Sequence, residues 1–179
     1  RCETAETTKS TETILAVLDS IKTRLSSLSE SGYRTLAVAY KYVENKTAYS
    51  IEDERNLTLG GILVFTDPPK KDAHDAIVKL NELGVEVKIL TGDNELVAKK
   101  ICEDVCAPAT RIISGSELTA MSSTDIKKAV EEATIFARVT PDQKLDIIKA
   151  LKANRHVVGY MGDGVNDAPA LYEADVGIS

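Results

Sequence analysis

Three times in this chain an apolar run breaks into a polar turn and then into a helix. Val85-Glu-Val-Lys-Ile-Leu90 leads into Thr91-Gly-Asp-Asn94 and a helix expected from about Glu95 to Cys106. Thr134-Ile-Phe-Ala137 leads into Arg138-Val-Thr-Pro141, where Thr140 suits a cap and Pro141 opens a helix carrying Lys144. His156-Val-Val-Gly-Tyr160 leads into Met161-Gly-Asp-Gly-Val-Asn-Asp-Ala-Pro-Ala170, with Pro169 suited to the first turn of a helix opening near Asp167. Strands that alternate with helices need crossovers, and crossovers build a parallel sheet of one hand. The fold expected is therefore α/β. In such a sheet all strand carboxyl ends lie on one rim, where ligands bind.

The remainder of the chain punctuates itself. Arg1 to Ser10 is polar and Thr-rich and reads as loop. Ile14, Val17, Leu18, Ile21, Leu25 and Leu28 fall at helical spacing, and Ser31-Gly32 ends that helix. Thr35 to Val43 reads as a strand, Glu44-Asn45-Lys46 as a turn, and the charged Ser50 to Asn56 as a linker. A strand from Leu57 to Thr66 stops at Asp67-Pro-Pro69, which no central strand continues through. A helix from about Lys71 to Leu83 ends at Gly84. A short strand Arg111 to Ile113, helical stretches to Glu132 and a last strand Asp175 to Ile178 complete the pattern. The domain boundary is expected between residues 56 and 57.

Composition excludes some classes. Aromatic residues are 4% and Trp is absent, so the core must be aliphatic. The formal net charge of -6 argues against a nucleic-acid partner, which calls for a basic footprint. No apolar run reaches the ~18 to 20 residues of a membrane span, and no signal-peptide pattern is present. Cys2, Cys102 and Cys106 form no C-x-x-C. Cys102 and Cys106 would make a metal pair without a third ligand, so they are expected as buried or half-buried thiols in a reducing compartment.

The turns carry chemistry. Gly162 and Gly164 permit a tight loop, and Asp163 and Asp167 suit a hard divalent cation of the Mg2+ type, which takes oxygen ligands. The plain alternative is an acidic turn with an N-capping Asp. Thr91 and the Gly92 amide suit the non-bridging oxygens of a phosphoryl group, and Lys144 suits its charge. Singly, Thr91 reads as a helix cap, Asp93 as a turn residue and Lys144 as a solvated lysine. Three such groups at three successive rim positions favour a phosphoryl site.

Together, Thr91-Gly-Asp93, Arg138-Val-Thr-Pro-Asp-Gln-Lys144 and Met161-Gly-Asp-Gly-Val-Asn-Asp-Ala-Pro-Ala-Leu171 resemble motifs of the P-type ion-transporting ATPases, within the haloacid-dehalogenase superfamily. Asp67-Pro-Pro-Lys70 is similar to the family's D-P-P-[RK] segment, and Gly32-Tyr-Arg-Thr-Leu-Ala-Val-Ala39 to the stretch that closes its nucleotide-binding domain. Val87 to Asn94, Lys100-Ile-Cys102 and His156 to Asp163 look most like the magnesium-transporting branch. The resemblance implies a haloacid-dehalogenase-like, Rossmannoid parallel sheet flanked by helices over residues 57–179. It implies the end of an α+β nucleotide-binding domain over residues 1–56. It also implies an enzyme that couples ATP hydrolysis, through an aspartyl phosphate and with Mg2+ as cofactor, to cation transport. Asp163 matches the Mg2+ ligand and Asp167 the second carboxylate. Asn166, Thr91 and Gly92 match phosphoryl contacts, and Lys144 the neutralising lysine. Arg34, Arg138 and Asp93 fall where the family meets ATP.

No Asp here is followed by Lys-Thr-Gly-Thr, the family's nucleophile motif, and its K-G-A nucleotide motif is absent too. The chain is therefore expected to be an inactive piece of a multi-pass plasma-membrane protein, on its cytoplasmic side. Its expected partners are the remaining domains of that parent. Without the nucleophile strand, two strand edges are expected to face a gap. The alternatives are a stand-alone phosphatase of the superfamily, or a non-catalytic module on the same fold. The first needs a D-x-D nucleophile before Val85, and none stands at a strand end there.

Overall fold

A computed structural model describes residues 2–6, 11–43, 45, 47–105, 110–162 and 164–179; side chains are described for these except 2–6, 11, 12 and 165. The backbone divides into two compact units, Arg1–Asp67 and Pro68–Ser179.

Among the described residues, the first unit is one mixed sheet with one α-helix. Strands β1 (Cys2–Glu6), β2 (Thr11–Thr13), β3 (Arg34–Tyr40) and β4 (Leu57–Phe65) lie in the order β2-β1-β4-β3. β1 runs parallel to β4 and antiparallel to β2. The reading of residues 1–10 as loop is thus corrected for Cys2–Glu6, whose backbone completes two ladders. Polarity pointed the wrong way there; long-range pairing with β4 decides the conformation, and Thr tolerates it. Helix α1 (Ile14–Glu30) half-buries the six apolar positions expected of it. The expected linker carries a single 3-10 turn, Ile51–Asp53, closed by the Ser50–Asp53 capping box.

The unit boundary differs from the expected one. β4 pairs antiparallel with β3 from Arg34↔Phe65 to Tyr40↔Thr58, with one bulge. A strand so fully laddered belongs to the first unit, and the break comes after it, at Asp67/Pro68.

The second unit is the α/β part. Its elements are α2 (Ala73–Glu82), β5 (Ile89–Leu90), α3 (Glu95–Asp104), β6 (Ile112–Ser114), α4 (Gly115–Ala120) and α5 (Ser123–Glu132). Then follow β7 (Ile135–Ala137), α6 (Pro141–Ala153), β8 (Gly159–Met161), α7 (Ala168–Glu173) and β9 (Val176–Ile178). All ladders in this unit are parallel, as the alternation requires. They fall into two sheets, β5-β7-β6 and β8-β9. Phe136 and Ile113 from the first sheet share a buried cluster with Val158 and Tyr160 beside the second. One hydrophobic core therefore serves both sheets, although no ladder joins them among the described residues; it is not purely aliphatic as composition suggested, since Phe136 is its largest fully buried side chain.

The strands are shorter than their apolar runs. Only Ile89–Leu90 of Val85–Leu90 is laddered, on Ile135 and Phe136 of β7. Val85 is left 47% exposed. Helix ends follow the sequence closely. Gly84 takes a φ of 76° after α2, and Val85 N–H donates to Leu80 O at 2.9 Å. Cys102 is buried against Ile135 and Ala137, and burial pushes its thiol up to about 11. Cys106 lies outside the described residues, as does the side chain of Cys2.

Candidate active site

The strand ends hold two polar groups of residues. At the end of β5, Thr91 N–H donates to Phe136 O at 2.9 Å, and Thr91 O accepts from Val139 N at 3.1 Å. The Thr91 hydroxyl accepts from Asp93 N at 3.1 Å and donates to Asp93 Oδ2 at 3.2 Å. Thr91 is thus a turn-former; the cap of α3 is Asn94, whose Oδ1 accepts from Leu96 N and Val97 N. Gly92 is exposed, and a Cβ there would meet nothing within 4 Å.

The same loop is tied to the end of β7. Arg138 N–H donates to Asp93 O at 2.8 Å, and Arg138 takes a left-handed φ of 52°. That conformation is uncommon for a residue with a side chain. Its Nε stands 3.5 Å from Glu95 Oε2. Two residues on, Thr140 caps α6 with its hydroxyl on Gln143 N. The Thr91 loop and the start of the Lys144 helix are therefore joined by backbone bonds across one short segment.

The second group lies between α6 and the β8–α7 loop. Lys144 Nζ donates to Asp167 Oδ1 at 2.7 Å, and Tyr160 OH donates to the same oxygen at 2.8 Å. Asp167 N–H closes the loop on Gly164 O at 2.9 Å. The Lys144 bond, then the Tyr160 bond, hold Asp167 below the usual carboxylate range against the effect of burial. Burial first, then the bond to Asp167, push the Tyr160 hydroxyl up. The other oxygen, Oδ2, lies over the glycines: a Cβ at Gly162 would stand 2.8 Å from it and one at Gly164 3.5 Å. Any larger residue at 162 would displace the carboxylate.

Asn166 is exposed in the single turn Val165–Asp167 that precedes α7. Asp163 lies outside the described residues. Among the described residues no three His, Cys, Asp or Glu groups gather as a metal site. Of the two carboxylates expected to hold a hard cation only Asp167 is described: Lys144 and Tyr160 occupy its Oδ1, and its Oδ2 faces Gly162 and Gly164, which flank Asp163 in sequence. Arg34 belongs to the first unit, where its Nη1 pairs with Asp67 Oδ2 at 2.7 Å.

A family profile of haloacid dehalogenase-like hydrolases matches residues 7–175. This chain belongs to the haloacid dehalogenase-like hydrolases. The resemblance to P-type ATPases is borne out by curated relatives. A magnesium-transporting ATPase, P-type 1, of Salmonella typhimurium is 47% identical over 151 residues, covering 83% of this chain and 17% of the relative. The protein of that name from Escherichia coli K12 is 44% identical over 164 residues, 91% of this chain and 18% of the relative. A calcium-transporting ATPase of Bacillus subtilis is 38% identical over 158 residues, 87% of this chain and 18% of the relative. This haloacid dehalogenase-like chain thus spans less than a fifth of the length of these relatives. Among its described residues no helix is long and apolar enough to cross a membrane.

Two site features were not foreseen from the sequence. In the sequence Tyr160 only ends an apolar run; packing sets its hydroxyl on Asp167. The second is the cap of α3, which is Asn94 and not Thr91; its place directly before the acidic first residue of the helix is the signal that points to it.

Proposed function

We propose that this chain is catalytic machinery of a P-type ATPase that couples ATP hydrolysis to cation transport, with magnesium as the cation. Residues 68–179 serve as phosphorylation domain, and the first unit as the closing part of a nucleotide-binding domain. The observation that carries the reading is the Lys144–Asp167 pair, a cation and a carboxylate from distant elements meeting beside the Gly162–Gly164 loop. The identity to magnesium-transporting relatives supports it.

In this reading a nucleophilic aspartate from another segment of the parent attacks the γ-phosphorus of ATP, and ADP leaves. Water then cleaves the aspartyl phosphate to release phosphate. Asp163 and Asp167 would hold Mg2+, which when bound neutralises charge on the transferring group. Lys144 balances the charge of that group while orienting Asp167. The Thr91 hydroxyl and the Gly92 amide serve its non-bridging oxygens, and Asn166 touches it from the β8–α7 loop. Reaching it requires the Thr91 hydroxyl to leave its bond with Asp93. Arg34, Asp93 and Arg138 serve the nucleotide. The parent would place this chain on the cytoplasmic side of a plasma membrane, with its other domains as partners.

The test is Asp163→Asn in the full-length ATPase, read as phosphoenzyme formed from labelled ATP. Loss of phosphoenzyme is expected. Phosphoenzyme formation at unchanged Mg2+ dependence would remove Asp163 from the role.

A further inference from the structure

We infer that Gln143 is a positioning residue that fixes the Lys144 helix and the Thr91 loop to one another around the phosphoryl group. The inference rests on the phosphoryl-site reading above. It adds a residue to which that reading assigned no part.

Gln143 uses both ends of its amide. Oε1 accepts from Thr140 N at 3.0 Å, which is the reciprocal half of the α6 capping box. Nε2 donates to Gly115 O at 2.7 Å and to Thr119 Oγ1 at 3.0 Å. The amide has one sensible orientation, because the Thr140 amide only donates and the Gly115 carbonyl only accepts. A cap alone would need Oε1 alone. The Nε2 contacts reach 28 and 24 residues back, to the first turn and body of α4.

Gly115 makes the clamp possible. A Cβ there would lie 2.3 Å from Arg138 O and 2.7 Å from Gln143 Oε1. The backbone of α4 thus sits directly against the Arg138 carbonyl. On its other side the same segment is held by Arg138 N–H on Asp93 O and Val139 N–H on Thr91 O. Arg138–Thr140 is consequently gripped between two partners, the Thr91–Asp93 loop and the Gly115–Gln143 contact. Lys144 follows Gln143 directly and its N–H donates to Thr140 O at 3.0 Å. The left-handed Arg138 shows that this segment is held where free chains seldom go. Loosening the grip frees the lysine from its register with Thr91.

Two variants separate positioning from capping and from charge. Gln143→Glu keeps the acceptor for Thr140 N but sets a carboxylate against the Gly115 carbonyl. Gln143→Met keeps length and neutrality and removes every side-chain bond. Thr119→Val, which removes one Nε2 bond, stands in if Gln143→Met does not fold. The 179-residue chain is titrated in the cold with inorganic phosphate in the presence of Mg2+. Binding is followed by the backbone amide shifts of Thr91, Gly92 and Lys144, with helicity by circular dichroism. The expected result is about tenfold weaker phosphate binding in Gln143→Glu and Gln143→Met at unchanged helicity, with the Thr91 and Lys144 shifts no longer moving in proportion. Unchanged affinity in both variants overturns the inference and leaves Gln143 as a helix cap. Weakening confined to Gln143→Glu also overturns it, since charge alone then acts. If the isolated wild-type chain binds no phosphate, the same variants are read in the full-length ATPase as phosphoenzyme formed from labelled phosphate, and a wild-type ATPase that forms none overturns the phosphoryl-site reading itself, and this inference with it.

Discussion

Lys144 Nζ and Asp167 Oδ1 stand 2.7 Å apart with side chains only 15% and 13% exposed. Such a pair is screened less than a surface one, and removing one partner strands the other. Lys144→Met is expected to lower stability by about 1–3 kcal/mol in urea unfolding, moderated because Tyr160 still donates to the carboxylate. Adding Asp167→Asn should recover part of that loss. Strict additivity of the two changes would show that the pair contributes nothing.

Gly162→Ala tests the space beside Asp167. The added methyl would lie 2.8 Å from both Cβ and Oδ2 of Asp167, so the side chain must turn away. Weaker Mg2+ binding is expected by calorimetry, by roughly tenfold, a loss of about 1.4 kcal/mol. Affinity equal to wild type would mean that Oδ2 takes no part.

Gly115→Ala should cost more stability than Gly162→Ala. The obstacle at 115 is the backbone carbonyl of Arg138, 2.3 Å away, which cannot rotate aside. A destabilisation of about 2 kcal/mol or more is expected, comparable to other overpacked sites. Thermal melts of the two variants side by side give the comparison.

Acid should unfold the chain over a definite range. Glu117, Asp125, Glu131, Asp167 and Asp175 all have their protonation shifted downward by hydrogen bonds in the fold. Depressed carboxylates contribute stability above their unfolded values, near ~4, and lose it as pH falls through the folded ones. The melting temperature should therefore show no loss from these groups above about pH 5 and fall steeply below about pH 4. A melting temperature that rises on acidification through that range would contradict the assignment.

Short ladders and separate sheets predict a chain of low stability by itself. The second unit pairs β5 with β7 through two residues and β8 with β9 through three. Strand edges so left invite association or a missing strand. A cooperative melt of the isolated monomer well above room temperature would refute this.

The sequence by itself determined the kind of fold and the places where chemistry gathers. Apolar runs followed by turn residues and capped helices fix strand–loop–helix units, because periodicity and caps are local. The ends of α1, α2 and α6 could be read from Gly32, Gly84, Thr140 and Pro141 for that reason. The motifs also fixed that Thr91 follows β5, that Lys144 lies in the first turn of α6 and that Asp167 stands between β8 and α7, because each strand–turn–helix unit is local.

Only the tertiary structure decided pairing. Polarity hid β1, which pairs with nearby β2 and also with β4, more than fifty positions away, as in Cys2 with Leu57. It moved β4 into the first unit, because β3 offered it a full antiparallel edge. It also gave Tyr160 and Gln143 their partners. A side chain's hydrogen bonds across elements depend on distances that no local pattern encodes, so Asp167's second donor and Gly115's contact with Arg138 appear only once the chain is packed.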